Sequence, residues 1–225
     1  MLAAASLGQV FHELAQAYPA SGARAELRVS VAGSQTLAAQ VREGIAADLI
    51  ATADTETMDA LLDERRVLEP RSFAGNRLVW VVRRGLGDPE PPGPAAFFAA
   101  AGGRLVLAAP EVPAGRYARQ ALARLGLLEA AEARLVSNEL DVRGVVSKLS
   151  LGEVDAGIAY ATDVTPAVAR HVHRVELPKA ARVRIDYPIA LVRDAPHPQA
   201  ARHFLAWLEG ERARAILSGA GFEPR

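Results

Sequence analysis

Three times within its first 54 residues the chain passes from a short apolar stretch, through small residues, into the start of an amphipathic helix. The first passage is Ala3-Ala4-Ala5-Ser6-Leu7, which reads as the end of a strand with Ser6 as helix N-cap. Leu7, Val10, Phe11, Leu14 and Tyr18 follow at helical spacing, and a turn over 19–22 ends the helix. In the second, Leu27, Val29 and Val31 alternate as in a strand. Gly33-Ser34 breaks it, and Leu37, Ala38 and Val41 mark a short helix closed by Gly44. In the third, 48–52 is a buried strand, Ala53 follows, and Asp54 caps a helix whose core face is Met58, Leu61 and Leu62. Strands alternating with helices fold into a mainly parallel sheet. In such sheets the turns after the strands collect on one edge, where ligands bind. Each turn presents the unpaired first N–H groups of a helix, which can hold an anion without a charged side chain.

The rest of the chain reads as a second series of the same kind. Residues 78–82, with Trp80, form a β-prone strand, and the Gly- and Pro-rich segment 85–94 is an exposed loop. A strand at 104–108 leads through a turn at 110–115 into a helix carrying Tyr117, Ala121, Leu122 and Leu125. A strand at 134–136 precedes a helix capped by Asp141 and carrying Val145, Val146 and Leu149. Strands are expected at 156–160 and 172–177. The stretch 185–192, interrupted by Pro188, reads as an edge or crossing strand. Helices at 200–208 and 213–217 close the chain and return to the first lobe. The expected architecture is α/β with two lobes and a ligand cleft between them. The first lobe takes residues 1–79 plus 190–225 and the second 80–189. The first strand is expected to be cut short and to lack an export signal before it.

Composition removes several classes of function. The 225 residues carry 26 basic and 26 acidic side chains, so no polyanion-binding surface is indicated. There is no cysteine, which excludes disulfides, thiol catalysis and Cys-ligated zinc. No apolar run is long enough to span a bilayer. The histidines (12, 171, 173, 197 and 203) have no companion ligands at metal-site spacing, and His171-x-His173 reads as a surface pair. Gly33-Ser34 lacks the second glycine of a nucleophile elbow, and no phosphate-loop sequence is present. Asp48, Asp54 and Asp155 fall at strand edges or caps, and Tyr160 ends a buried strand. What remains is a set of neutral donors at turns: Ser6, Ser34, Ala53, the loop with Ala114, and Val142. Hydroxyl and backbone N–H groups alone can hold a dehydrated oxyanion. The residues by themselves therefore lead to a two-lobed binder of a small anion.

In their order along the chain, these stretches resemble the molybdate-binding proteins of ABC importers. The resemblance runs through Ala3-Ala4-Ala5-Ser6-Leu7, Gly33-Ser34-Gln35-Thr36-Leu37-Ala38, Ala47-Asp48-Leu49 and Ala53-Asp54. It continues through Gly75-Asn76-Arg77-Leu78-Val79, Val112-Pro113-Ala114-Gly115-Arg116-Tyr117, Asp141-Val142-Arg143-Gly144, Gly157-Ile158-Ala159-Tyr160, Tyr187-Pro188-Ile189-Ala190 and Ala220-Gly221-Phe222. It implies a class II periplasmic-binding fold whose lobes close by a hinge near 78–82 and 187–192 on one molybdate or tungstate oxyanion. Ser6 and Ser34 would donate from the first lobe. Ala114 and Val142 would donate backbone N–H groups from the second, Tyr160 its hydroxyl, and Ala53 would lie at the edge of the site. Molybdenum would enter only as the oxyanion, through these same residues. The resemblance implies a monomeric, periplasmic or surface-tethered receptor that serves a membrane permease, with no cofactor, no catalysis and no nucleic-acid partner. Two alternatives remain at this point: the anion-sensing domain of a transcription regulator, and a Ser-dependent hydrolase using Ser6 or Ser34.

Overall fold

In the computed structural model, which describes residues 1–21 and 25–225, the chain divides into two units. Unit 1 is Met1–Asn76 with Ile185–Arg225, and unit 2 is Arg77–Arg184. Unit 1 opens with β1 (Leu2–Ala4), α1 (Gly8–Ala17), β2 (Ser30–Ala32), α2 (Ser34–Arg42), β3 (Leu49–Ala51), α3 (Thr55–Asp63) and β4 (Val67–Asn76). Unit 2 holds β5 (Leu78–Arg83), α4 (Pro94–Ala99), β6 (Leu105–Ala108), α5 (Pro113–Arg124), α6 (Leu128–Arg134), β7 (Leu135–Glu139), α7 (Val142–Ser150), β8 (Ala156–Tyr160) and β9 (Val172–Glu176). The chain then returns to unit 1 with β10 (Ile185–Val192), α8 (Pro198–Leu208), α9 (Glu211–Gly219) and β11 (Glu223–Pro224). The turn expected after α1 is a short 3-10 helix, Tyr18–Ser21. Its expected last residue, Gly22, lies outside the described residues.

Each unit is built on one mixed sheet. In unit 1 the order is β11-β4-β10-β3-β1-β2. β2, β1 and β3 run parallel, and β10 is antiparallel to both β3 and β4. In unit 2 the order is β7-β6-β8-β5-β9, with β7, β6 and β8 parallel. The central strands β1, β3, β6 and β8 are buried at every residue, as expected where helices cover both faces of a parallel sheet. In unit 1, Leu37 and Val41 of α2 and Met58 and Leu61 of α3 pack with Leu2, Ile50 and Val67. Phe11 of α1 meets Phe73 edge-on at 5.7 Å and Phe204 at 6.4 Å. In unit 2 fully buried Trp80 lies edge-on to Phe97 at 5.4 Å, and its Nε1 donates to Pro92 O at 3.0 Å. That one bond ties the end of the Gly- and Pro-rich loop to the sheet.

The structure departs from the sequence-based expectations at several elements. β4 was not expected: Glu69, Pro70 and Arg71 hide its pattern. It is tolerated inside the sheet because its pairing with β10 is irregular there, with Ile189 opposite Arg71 and Leu191 opposite Leu68. Of the two readings of β10, edge or crossing strand, the edge does not hold: β10 is an interior strand at which the chain re-enters unit 1, and Pro188 sits at a second register shift, between Tyr187 and Pro188. The chain leaves unit 1 after Asn76 and returns at Ile185, where the sequence suggested 79/80 and 189/190. Leu78 and Val79 already pair with Tyr160 and Ala159 of unit 2, while Ile185 already pairs with Asn76 of unit 1. The first strand is short but present, paired on both sides. Ser6 is not an N-cap. It lies inside a 3-10 turn, Ala5–Leu7, and its side chain makes no capping bond. Asp54 and Asp141, by contrast, cap as expected: Asp54 Oδ1 accepts from Thr57 N–H at 3.4 Å, and Asp141 Oδ1 from Gly144 N–H at 3.1 Å.

Candidate functional site

In unit 1 strand register brings three of the expected residues to one edge. Ala4 lies opposite Ala32 and Ala3 opposite Ala51, so three neighbouring parallel strands end at one level. Ser6 stands two residues past Ala4, Ser34 two past Ala32, and Ala53 two past Ala51. Ser34 opens α2 and is buried at 2% exposure. Its Oγ accepts a hydrogen bond from Ala53 N–H at 3.0 Å. An amide can only donate, so this bond occupies an oxygen lone pair and leaves the Ser34 hydroxyl hydrogen for another acceptor. The Ala53 N–H is thus engaged by Ser34, and what Ala53 can do is orient that hydroxyl. Thr52 Oγ1 donates to Asp54 O at 2.7 Å, which fixes the same turn from its other side. Ser6 Oγ lies within hydrogen-bond distance of Tyr187 Oη, at 3.1 Å, and Tyr187 Oη accepts from Asn76 Nδ2 at 3.3 Å.

Unit 2 repeats the arrangement with backbone donors. Ala108 lies opposite Glu139 and Val106 opposite Gly157, so β6, β7 and β8 deliver their following turns to one edge. Ala109 N–H donates to Glu139 O at 2.8 Å, and Val112 N–H returns to Ala109 O at 2.9 Å. The expected turn at 110–115 is shorter, because α5 already begins at Pro113, where the fixed proline φ suits a first helical position. Ala114 is therefore the second residue of a helix, and Val142 is the first of α7. N–H groups at these positions have no carbonyl within their own helix to accept them, and the helix dipole makes them a positive end. Both residues are nearly fully buried.

Two details hold that edge in place. A Cβ on Gly115 would lie 2.0 Å from Ala109 O and 2.4 Å from Ala108 O, so only glycine lets α5 start this close to the end of β6. Arg119, one turn further on, donates to Ala108 O and Asn138 Oδ1, each at 2.9 Å, and pairs with Glu132 at 2.9 Å. Tyr160 ends β8 and is buried at 1% exposure, and its N–H donates to Asp163 Oδ2 at 3.2 Å. Burial pushes the Asp163 carboxyl up to about 7, against the opposing pull of the Tyr160 N–H and the Arg143 charge.

The structure thus gathers Ser6, Ser34 and Ala53 in unit 1, and Ala114, Val142 and Tyr160 in unit 2. Five of the six carry neutral donor groups, and the sixth, Ala53, orients the Ser34 hydroxyl. Sequence reasoning gave no role at the site to Asn76, Tyr187 or Asp163, although Asn76 and Tyr187 fall in stretches that carry the resemblance and Tyr187 opens an expected hinge segment. Among the described residues, no group of three or more His, Cys, Asp or Glu is placed to hold a metal ion. His173 is paired instead with the Asp88 carboxylate. No helix among the described residues is long and apolar enough to cross a membrane.

The sequence model of the family described as bacterial extracellular solute-binding protein matches residues 1–223. The molybdate-binding protein ModA of Mycobacterium tuberculosis H37Rv is 33% identical over 223 residues, covering 99% of this chain and 83% of that protein. A putative ABC transporter substrate-binding lipoprotein of Bacillus subtilis, YvgL, is 30% identical over 226 residues, covering 98% and 84%. Among solved structures, the periplasmic molybdate-binding protein of Azotobacter vinelandii superposes with a TM-score of 0.86 at 23% identity, covering 98% of this chain and 96% of that one.

Proposed function

This chain belongs to the bacterial extracellular solute-binding protein family, and from that premise we propose that it captures molybdate and hands it to the membrane permease of an ABC transporter. The observation that carries the reading is the donor set. Each of the six positions singled out by sequence lies at the end of a strand, in the turn that follows it or in the first two residues of the next helix, and none brings a charged side chain. A dianion held by neutral dipoles is recognised by its size and geometry, and it avoids a tight ion pair that would slow its release. We assign Ser6 and Ser34 as hydroxyl donors, Ala114 and Val142 as backbone donors and Tyr160 as a further hydroxyl donor. Ala53 acts through Ser34. Tungstate matches molybdate in charge and nearly in size, so the same donors accept both. Molybdenum enters as the oxyanion, with no direct bond to protein. The protein works as a monomer outside the cytoplasm, without a cofactor, and the reading assigns no catalytic residue. The regulator and hydrolase alternatives have no observation in their favour.

The test is thermal unfolding with molybdate, tungstate, sulfate and phosphate in parallel. Ligand at about 100 times Kd adds roughly 2.7 kcal/mol. For a chain of this length that raises Tm by about 5–11 °C. A rise with molybdate and tungstate alone supports the proposal. A rise with sulfate or phosphate instead changes the solute, and no rise with any of the four refutes it.

A further inference from the structure

Two side chains in stretches that carry the resemblance, Asn76 and Tyr187, meet in unit 1 behind Ser6. Asn76 is the last residue of β4, and Tyr187 is the third residue of β10. Ile185 pairs with Asn76, so Tyr187, two residues on, shares its face of the sheet one diagonal step away. Tyr187 is fully buried, Asn76 is 7% exposed, and Phe222 packs edge-on against the Tyr187 ring at 5.5 Å. The ring cannot swing away, and its Oη sits 3.3 Å from Asn76 Nδ2 and 3.1 Å from Ser6 Oγ.

We propose that Tyr187, held by Asn76, is a positioning residue that makes Ser6 a one-way donor to the bound anion. The amide nitrogen of Asn76 carries hydrogens and no acceptor lone pair, so it donates to Tyr187 Oη. In this proposal Tyr187 directs its single hydrogen at Ser6 Oγ, the direction that the 3.1 Å separation allows. With that lone pair occupied, Ser6 has its own hydrogen to give outward. Ser34 is set the same way by a different donor, the Ala53 N–H. A serine lacking such an inbound donor can point its hydrogen inward and present a lone pair to the ligand, which repels an anion. The chain Asn76 to Tyr187 to Ser6 removes that option before the ligand arrives. It also spans both segments through which unit 1 is joined to unit 2, since Asn76 precedes one crossing and Tyr187 follows the other.

This inference rests on the assignment of Ser6 as a molybdate donor, and a double-mutant cycle separates the two claims. Molybdate affinity is measured by calorimetry on the full chain for wild type, Ser6→Ala, Tyr187→Phe and the double variant. Unliganded melts confirm that each is folded. Phenylalanine keeps the ring contact with Phe222 and removes only the hydroxyl. Tyr187→Phe is expected to weaken molybdate about tenfold where Ser6 is present, the worth of one hydrogen bond. In the Ser6→Ala background it is expected to change affinity by less than about twofold. Asn76→Ala, which acts on the same hydroxyl from its other side, is expected to weaken binding only where Ser6 is present. Equal weakening in both backgrounds, or none in either, overturns the positioning role. Wild-type affinity for Ser6→Ala itself overturns the donor assignment on which the inference stands.

Discussion

Replacing Gly115 by alanine tests how closely the start of α5 must approach β6. The added Cβ would sit 2.0 Å from Ala109 O and 2.4 Å from Ala108 O, where contacts below 3.0 Å essentially never occur. The helix start or the strand end must therefore move by at least 1.0 Å, the difference between 3.0 and 2.0 Å. Both obstructing atoms are backbone oxygens, and Ala108 O is further tied to Arg119, so no side chain can rotate to make room. Overpacking of this kind costs about 3 kcal/mol or somewhat more. For a chain of this size that lowers Tm by roughly 6–12 °C. The same displacement carries the Ala114 N–H away from its place, so molybdate affinity should fall by at least about tenfold, one charge-assisted hydrogen bond. Gly219→Ala is the matched control. Gly219 ends α9 with open space around the added methyl, and alanine there should stabilise by about 0.5–1 kcal/mol. The two variants make one chemical change with opposite expected signs, read by thermal melts and calorimetry. A Gly115→Ala protein that melts within 2 °C of wild type (about 1 kcal/mol or less) and binds molybdate normally would refute the reasoning.

Other expectations follow from bonds already described. Ser34→Ala removes a hydroxyl donor and leaves the buried Ala53 N–H unsatisfied, so calorimetry should show molybdate binding weakened by about 10- to 150-fold, the worth of a bond to a charged group. Asp141→Ala removes the cap of α7 and should cost about 1 kcal/mol in urea unfolding. The Asp163 carboxyl ionises at about 7 in the folded protein because burial disfavours its charge, while in the unfolded chain it ionises near 3.8. Between those values the folded state holds a proton that the unfolded state has lost, so stability falls as pH rises through that window. Asp163→Asn, which can still accept from Tyr160 N–H, should remove that decline. Its stability relative to wild type should therefore be greater at pH 8 than at pH 5, and equal differences at the two values would refute the assignment.

How much of this was legible in the sequence depends on how local each signal is. The strand-to-helix turns were readable because each is set by neighbouring residues: Gly33 before Ser34, Asp54 three before Thr57, Asp141 three before Gly144. The buried strand at Ala156–Tyr160 was readable because all five residues are buried and uninterrupted. β4 was not, because Pro70 and the flanking charges hide its pattern, and its place inside the sheet comes from β10, more than a hundred residues away. The interior position of β10 was hidden for the same reason: Pro188 signals an edge unless the irregular pairing around it is known. At the site, the residues that follow strands could be named from spacing and resemblance. The partners that orient them could not. Ser6 meets Tyr187 across 181 positions and Ser34 meets Ala53 across 19, and no local pattern marks either pair. The misassigned cap at Ser6 shows the limit clearly, since a serine before a helix normally serves that helix, and here its oxygen serves another strand.

The place of β10 in its sheet also sets an order of assembly. Unit 2 is one continuous segment and can complete all its strand pairs once residue 184 has been made. Unit 1 cannot, although its first residue is synthesised first. Until β10 emerges, β4 has no neighbour linking it to β3, and the sheet exists as separate fragments. A nascent chain should therefore acquire a finished middle before it acquires a finished beginning, reversing the usual front-to-back sequence of domain folding on the ribosome. For tens of seconds at the slower elongation rates the exposed edges of β3 and β4 await a strand still to be translated. Charged side chains along β4 (Glu69, Arg71) suit that interval, since they discourage pairing with the wrong partner.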